Sequence, residues 1–164
     1  MKVDLANRVA LVTGAARGIG QAIADQLAAN GALVYYSDVD GAEAERAAAR
    51  SPGAVAVAMD VRNEHEVVAV TDEIRRKHGR IDILVNNAGV NTLRHRVPID
   101  QFPREEWDRI VEVDLTGLYL VSRAVAGVMR SQNWDGSSTS LPWSASFLCG
   151  SNARSRRPRP GSST

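Results

Sequence analysis

Three short stretches hold the residues whose types and spacing could do chemistry. The first is "TGAARGIG", residues 13–20. Gly14 permits a tight turn, while Gly18 and Gly20 let backbone come close to an anion and let a following helix lie close on a sheet. If a helix starts there, its free N–H groups face a phosphate, and the chemistry is that of holding a diphosphate. Taken alone, such a motif can also be a turn with no ligand. The second is Asp38, 18 residues beyond Gly20, where an acid can accept hydrogen bonds from an adenosine ribose. A 2′-phosphate on that ribose would meet like charge. At ~4 Å the repulsion is roughly 1 kcal/mol in water and ~4 kcal/mol at an effective dielectric of about 20, which favours NAD over NADP. Arg17 would offset part of it. Asp38 could instead only begin a turn with Asp40 and Gly41. The third is "NNAG", residues 86–89, where the amides of Asn86 and Asn87 suit the end of a buried strand and could satisfy loop backbone groups.

These residues need elements to position them, and the chain alternates two patterns. "RVALVTG" (8–14), "ALVYYSD" (32–38), "AVAVAMD" (54–60) and "IDILVNNAG" (81–89) are short apolar runs that read as buried strands. Between them, 18–30 carries Ile19, Ile23 and Leu27 at helical spacing with Gly31 as a stop, and 41–50 is rich in Ala and Glu and closed by Pro52. Asn63 with Glu66 three residues on resembles a capping box opening a helix to about His78. After a loop (90–103), residues 104–130 read as one long helix with Trp107, Ile110, Val111, Leu118, Val121 and Val125 along one side. Buried strands alternating with helices imply a parallel sheet covered on both faces, and right-handed crossovers make it a doubly wound Rossmann arrangement.

Composition excludes several classes. A single cysteine, Cys149, rules out an internal disulfide, and Asp4 and Arg8 interrupt any apolar leader, so the protein reads as cytoplasmic. No apolar run approaches the ~18 residues of a membrane span. The net charge is +1, but residues 135–164 carry +3, so the patterned part carries −2 and offers no nucleic-acid surface. His65, His78 and His95 lack metal-ligand spacing and read as solvated surface, and no metal site is expected.

"TGAARGIG" followed at this distance by "NNAG" resembles the short-chain dehydrogenase/reductase family over residues 5 to about 133. The resemblance implies an NAD(P)-dependent oxidoreductase that moves hydride between a nicotinamide and a secondary alcohol or ketone, working as a homo-oligomer. It implies that Gly14, Arg17, Gly18, Ile19 and Gly20 line the pyrophosphate and that Asp38 meets the adenosine ribose. It further implies that Asp60 and Val61 flank the adenine, and that Asn87, Ala88 and Gly89 lie beneath the ribose and nicotinamide. "VDLTG" (113–117) falls where the family has Asn-x-x-Gly, with Asp114 in the slot of an Asn that helps hold a relay water. Spacing from Ile110 and Leu118 puts Asp114 on the inward face of its helix, as a buried carboxylate that needs a partner or a proton.

The family's acid/base pair, a Tyr with a Lys four residues later, and its preceding Ser have no counterpart. The tyrosines are Tyr35, Tyr36 and Tyr119, and only Tyr119 has a cation at that spacing, Arg123; the lysines are Lys2 and Lys77. The expected architecture is therefore a truncated Rossmann domain, residues 1–133, with strand order 3-2-1-4, followed by an unpatterned tail, 134–164. The tail reads as disordered; "RSRRPRPGSST" could alternatively be a basic arm. The chain is expected to be catalytically inactive, and a non-catalytic nucleotide-binding remnant or a subunit-association module is the alternative function. Back-translating 137–146 and shifting the frame by one base permits the order apolar, apolar, Asn, apolar, Ser, Ser, which resembles the family's next strand and its catalytic serine. A frame lost near Trp134–Asp135 would account for it. Reading the coding DNA in all three frames is expected to return that order followed by Tyr-x-x-x-Lys; a shifted frame without the pair contradicts the idea.

Overall fold

The computed structural model describes residues 3–92 and 97–132. The four apolar runs are strands: β1 (Val9–Thr13), β2 (Leu33–Asp38), β3 (Ala54–Ala58) and β4 (Ile83–Val85). The helices are α1 (Gly18–Ala29), α2 (Gly41–Ala48), α3 (Glu64–His78), α4 (Arg104–Val111) and α5 (Leu118–Gln132). All strand pairs are parallel and the order is β3-β2-β1-β4, a Rossmann-type α/β sheet. Alternate residues of each strand enter different layers, as the two-residue period requires. Val9, Leu11 and Tyr35 pack with α3 and α5 through Val67, Ile74 and Val121. Ala10, Val12, Val34 and Tyr36 pack with α1 and α2 through Ala24, Ala28 and Ala47.

Local sequence sets most helix ends. The Asp40 side chain caps α2 by accepting from Glu43 N–H at 3.0 Å. Asn63 caps α3, accepting from the N–H groups of His65 (3.1 Å) and Glu66 (3.4 Å). Glu66 does not close the expected box on the Asn63 N–H. Its carboxylate accepts instead from Asp60 N–H (2.7 Å) and Asn63 Nδ2 (2.8 Å), which ties the end of β3 to the start of α3. Acids in the first turn of α3 and bases in its last turn suit the helix dipole.

Four expectations are corrected. The strand expected over 81–89 is ordered as a ladder only over Ile83–Val85, because the hydroxyl of Thr13 takes the N–H groups of Asn87 (3.1 Å) and Ala88 (3.0 Å). The helix expected over 104–130 is interrupted by a π-helical turn, Glu112–Gly117. Trp107 does not join the buried side: it is 51% exposed, α4 buries no residue, and burial on this run is carried by Val121, Val125 and Val128 of α5. His78 is not plain solvated surface either, since its Nε2 lies 2.8 Å from the Tyr35 hydroxyl beneath it. His65 is exposed, and His95 and the tail after Gln132 lie outside the described residues. Among the described residues no strand pairs with the second edge of β4, and an open apolar groove of about 640 Å³ runs beside it, lined by Val3, Leu5, Ile19, Ile23, Leu27 and Ile83. Among the described residues no helix is long and apolar enough to cross a membrane.

The lower ends of β1 and β4 are joined through Asp82. Its carboxylate accepts from Arg80 Nε (2.8 Å), Arg8 Nη1 (3.1 Å) and Val9 N–H (2.9 Å). Burial alone would raise this carboxyl; the bonds from Arg80, Val9 and Arg8 overcome it and hold the group below the usual carboxylate range. A depressed carboxyl contributes stability that is present above its unfolded value, about pH 4, and is lost as pH falls through the folded value. Urea unfolding at pH 7 is expected to show Asp82→Ala less stable by about 1–2 kcal/mol. The variant is also expected to lose less stability than the parent between pH 5 and pH 2, both values being set about the ordinary carboxylate range.

Candidate functional site

A parallel sheet brings the C-terminal ends of all its strands to one edge, so Thr13, Asp38, Asp60 and Asn86–Gly89 gather there although they are far apart in sequence. The turn after β1 is held from two sides. From β2, the Ser37 carbonyl accepts from Ala15 N–H (3.0 Å) and Asp38 Oδ2 accepts from Ala16 N–H (3.1 Å). From the end of β4, Asn87 Nδ2 donates to the carbonyls of Thr13 (3.1 Å) and Gly14 (3.0 Å). Thr13 is the centre of this junction, its buried hydroxyl also lying 3.4 Å from the Val85 carbonyl. Sequence reasoning quoted Thr13 within its motif without giving it a task. The signal was there: a hydroxyl closing an otherwise apolar buried strand needs partners.

The glycines divide the labour. At Gly20 a Cβ would stand 2.2 Å from the Gly14 oxygen and 2.4 Å from Asn87 Nδ2, so α1 begins in direct contact with the turn. Gly18 has φ +60° and nothing within 4 Å of the Cβ position, so its backbone faces open space. Arg17 stands in extended conformation before α1 and no side chain caps the helix. The N–H groups of its first turn have no intrahelical acceptor. Arg17, Gly18 and Ile19 are exposed, Ile19 at 75%. A helix N-terminus with no side-chain cap among the described residues, beside the open Gly18, fits an anionic diphosphate.

Asp38 ends β2. Besides Ala16 it accepts from Asp40 N–H through Oδ1 at 3.1 Å, so it takes part in the turn with Asp40. Each carboxylate oxygen keeps a further lone pair. Asp60 lies one strand over, its carboxylate held by Arg62 Nε at 3.0 Å and Nη2 at 2.6 Å; that pairing, ahead of the burial that opposes it, lowers its pKa. Val61 sends its side chain into the core, 7% exposed, against the face of Gly117. Ala88 and Gly89 continue from Asn87 along the same edge. Asn86 differs from its neighbour. It donates to Ser122 Oγ of α5 at 3.0 Å instead of to loop backbone, and its buried Oδ1 has no hydrogen-bond partner among the described residues.

Asp114 is exposed, which corrects the inward placement derived from helical spacing. The π turn is the reason: one extra residue per turn breaks the 3.6-residue phase that aligned positions 110, 114 and 118. The side chain still reaches the strand ends, accepting from Val90 N–H at 2.9 Å and lying 3.4 Å from the Cβ position of Gly89. Tyr119 is exposed too, its ring 5.3 Å from the Arg123 guanidinium, which in turn pairs with Glu64 at the start of α3. Tyr35 and Tyr36 are buried. Among the described residues no cluster of His, Cys, Asp or Glu could hold a metal.

Residues 8–137 match the family model described as short chain dehydrogenase. Galactitol 2-dehydrogenase of Agrobacterium fabrum is 42% identical over 126 residues, covering 76% of this chain and 48% of the relative. Among solved structures, 3-ketoacyl-(acyl-carrier-protein) reductase from Brucella melitensis complexed with NADH superimposes with a TM-score of 0.74 at 38% identity, covering 79% of this chain and 53% of that one. NAD+-bound xylitol dehydrogenase gives 0.76 at 32% identity, covering 80% and 51%. The chain spans about half the length of the curated relatives it matches.

The two glycines at the helix start make separable demands. Gly20→Ala forces main chain apart and is expected to cost about 2–3 kcal/mol in urea unfolding. Gly18→Ala meets only the penalty of a positive φ and is expected to cost about 1–2 kcal/mol. Equal costs would mean that the contact at position 20 is not tight.

Proposed function

Because this chain belongs to the short chain dehydrogenase family, we propose that it is the nucleotide-gripping part of an NAD-dependent oxidoreductase of secondary alcohols or ketones, and that the chain as given holds NAD without turning it over. The observation that carries the first half is the turn from Gly14 to Gly20. Its early amides are tied to β2, whereas the uncapped start of α1 with the open face of Gly18 is left for a diphosphate. Gly14, Arg17, Gly18, Ile19 and Gly20 line that anion in this proposal. Asp38 accepts from the adenosine ribose with its remaining lone pairs and repels a 2′-phosphate, so NAD is preferred to NADP. Asp60, already neutralised by Arg62, and the backbone of Val61 flank the adenine. Asn87, Ala88 and Gly89 form the floor under the ribose and nicotinamide. The relatives solved with NADH and NAD+ support a nicotinamide cofactor. When bound, that cofactor supplies the hydride acceptor or donor.

The chain's own residues leave the proton unserved. The Tyr35 hydroxyl is 2.8 Å from His78, and the Tyr36 hydroxyl donates to Asp25 at 2.7 Å, both within the helix layers. Tyr119 is engaged with Arg123, and Lys77 pairs with Glu73 on α3. Asp114 accepts a hydrogen bond from Val90 and holds the chain after Gly89; among the described residues no Tyr-Lys pair stands beside it. Loss of a positioned acid/base costs roughly 10²–10⁴ in rate. We assign residues 1–133 to the cofactor domain. We place a change of reading frame near Trp134–Asp135; the family match ends just beyond, at residue 137. Subunit association is a second reading, favoured by the exposed apolar side chains of Trp107, Leu115 and Tyr119 along one helical run.

Fluorescence titration is expected to show NADH binding at least about fivefold tighter than NADPH, the lower bound of the charge repulsion at Asp38. Asp38→Ala is expected to narrow that ratio. An assay with NAD+ and simple secondary alcohols is expected to give no NADH above background; alcohol-dependent reduction of NAD+ would overturn the inactive assignment.

A further inference from the structure

The first turn of α1 points its N–H groups correctly only if the whole helix is fixed along its axis, and the close contact at Gly20 holds only its first turn. The residues it buries fully are Gly20, Ala24 and Ala28, and Ile23 and Leu27 pack beside them only partly buried. It has no side-chain N-cap, no acid in its first turn and no base in its last. Apolar contact is non-directional, so the body of the helix beyond Gly20 needs a polar bond to fix its direction.

A directional side-chain contact ties the middle of the helix to β2. Asp25, in the middle of α1, accepts through the same oxygen from the Tyr36 hydroxyl at 2.7 Å and from Ser51 Oγ at 3.0 Å. Tyr36 is 0% exposed and lies in β2, paired in register with Val12 of β1. Its two successors are the residues that hold the turn, Ser37 through its carbonyl to Ala15 and Asp38 through its carboxylate to Ala16. Three consecutive residues of β2 therefore fix three successive points of one unit, the body of α1 and two amides of the turn before it. Burial, reinforced by Asp25 and partly opposed by Ser51, pushes the Tyr36 hydroxyl up to about 12, so it remains a donor throughout the neutral range.

We propose that Tyr36, Asp25 and Ser51 form a brace that sets the axial position of α1, making Tyr36 and Asp25 positioning residues for the diphosphate although neither lies in the glycine turn. The inference rests on the cofactor reading above. It separates a brace from plain stabilisation by ligand. Adenosine depends on Asp38, Asp60 and Val61, whereas ADP and NADH also need the first turn of α1.

The test is titration of the full chain and its variants with adenosine, ADP and NADH, with far-UV circular dichroism as the check of folding. Tyr36→Phe and Asp25→Ala are expected to weaken ADP and NADH about fivefold relative to adenosine, the effect of losing one hydrogen bond's worth of positioning. Asp25→Asn keeps an acceptor oxygen and is expected to return both ligands to within about twofold of the parent. If Tyr36→Phe does not fold, the two Asp25 variants carry the test, since alanine is a better helix former than aspartate at that half-buried position. Equal weakening of all three ligands, or none, in a parent that binds NADH would overturn the brace alone. A parent that binds neither ADP nor NADH would overturn the cofactor reading and the brace with it.

Discussion

A Cβ on Gly20 would stand 2.2 Å from the Gly14 carbonyl oxygen and 2.4 Å from Asn87 Nδ2, so the start of α1 lies directly against the main chain of the turn. The same Asn87 amide nitrogen bonds the carbonyls of Thr13 and Gly14, and the Thr13 hydroxyl takes the N–H groups of Asn87 and Ala88. The junction joins β1, α1 and the end of β4 through groups that are nearly all backbone or buried. Its partners satisfy one another, which is the condition under which buried polar groups order a site and do not weaken it. The open face of Gly18 exists because the rest of the turn has been closed in this way.

What the sequence made legible was local. Strand runs, the Asn63 and Asp40 caps and the glycine turn each announce themselves within a few residues, because propensity, capping and positive φ are short-range effects. The strand order came with the resemblance to the short-chain dehydrogenase/reductase family and its Rossmann arrangement, while handedness fixed only the side on which each crossover lies. The failures were also of one kind. Asp114 was placed by counting along a helix whose period changes at Glu112–Gly117, and no residue type there signals a π turn. Trp107 was read as core from the same count. His78 and Tyr35 lie far apart in sequence, and nothing near either residue names the other. Glu66 found Asp60 because β3 ends beside α3, a tertiary fact that a capping pattern does not contain.

β2 has a larger part than its place in the sheet suggests. Its upper end supplies the acid nearest the turn, the carbonyl that holds Ala15, and the hydroxyl that reaches Asp25 on α1. Its other face sends Tyr35 toward α3, where the hydroxyl meets His78. Two adjacent tyrosines thus bind the sheet to helices on opposite sides, as the strand's alternation dictates. The Asp82 cluster does the corresponding work at the far end, where Arg8 and Arg80 meet one carboxylate.

The order β3-β2-β1-β4 places the earliest of these four strands to leave the ribosome at an interior position. β2 can dock on β1 soon after it emerges, but the opposite flank of β1 must wait for Ile83–Val85, and the Val9 N–H waits for Asp82. At roughly 5–20 residues per second, that flank stays uncovered for about 4–14 seconds of translation. A nascent chain of this topology therefore offers an apolar strand, Val9–Thr13, to other chains or to a chaperone before its own sheet can enclose it.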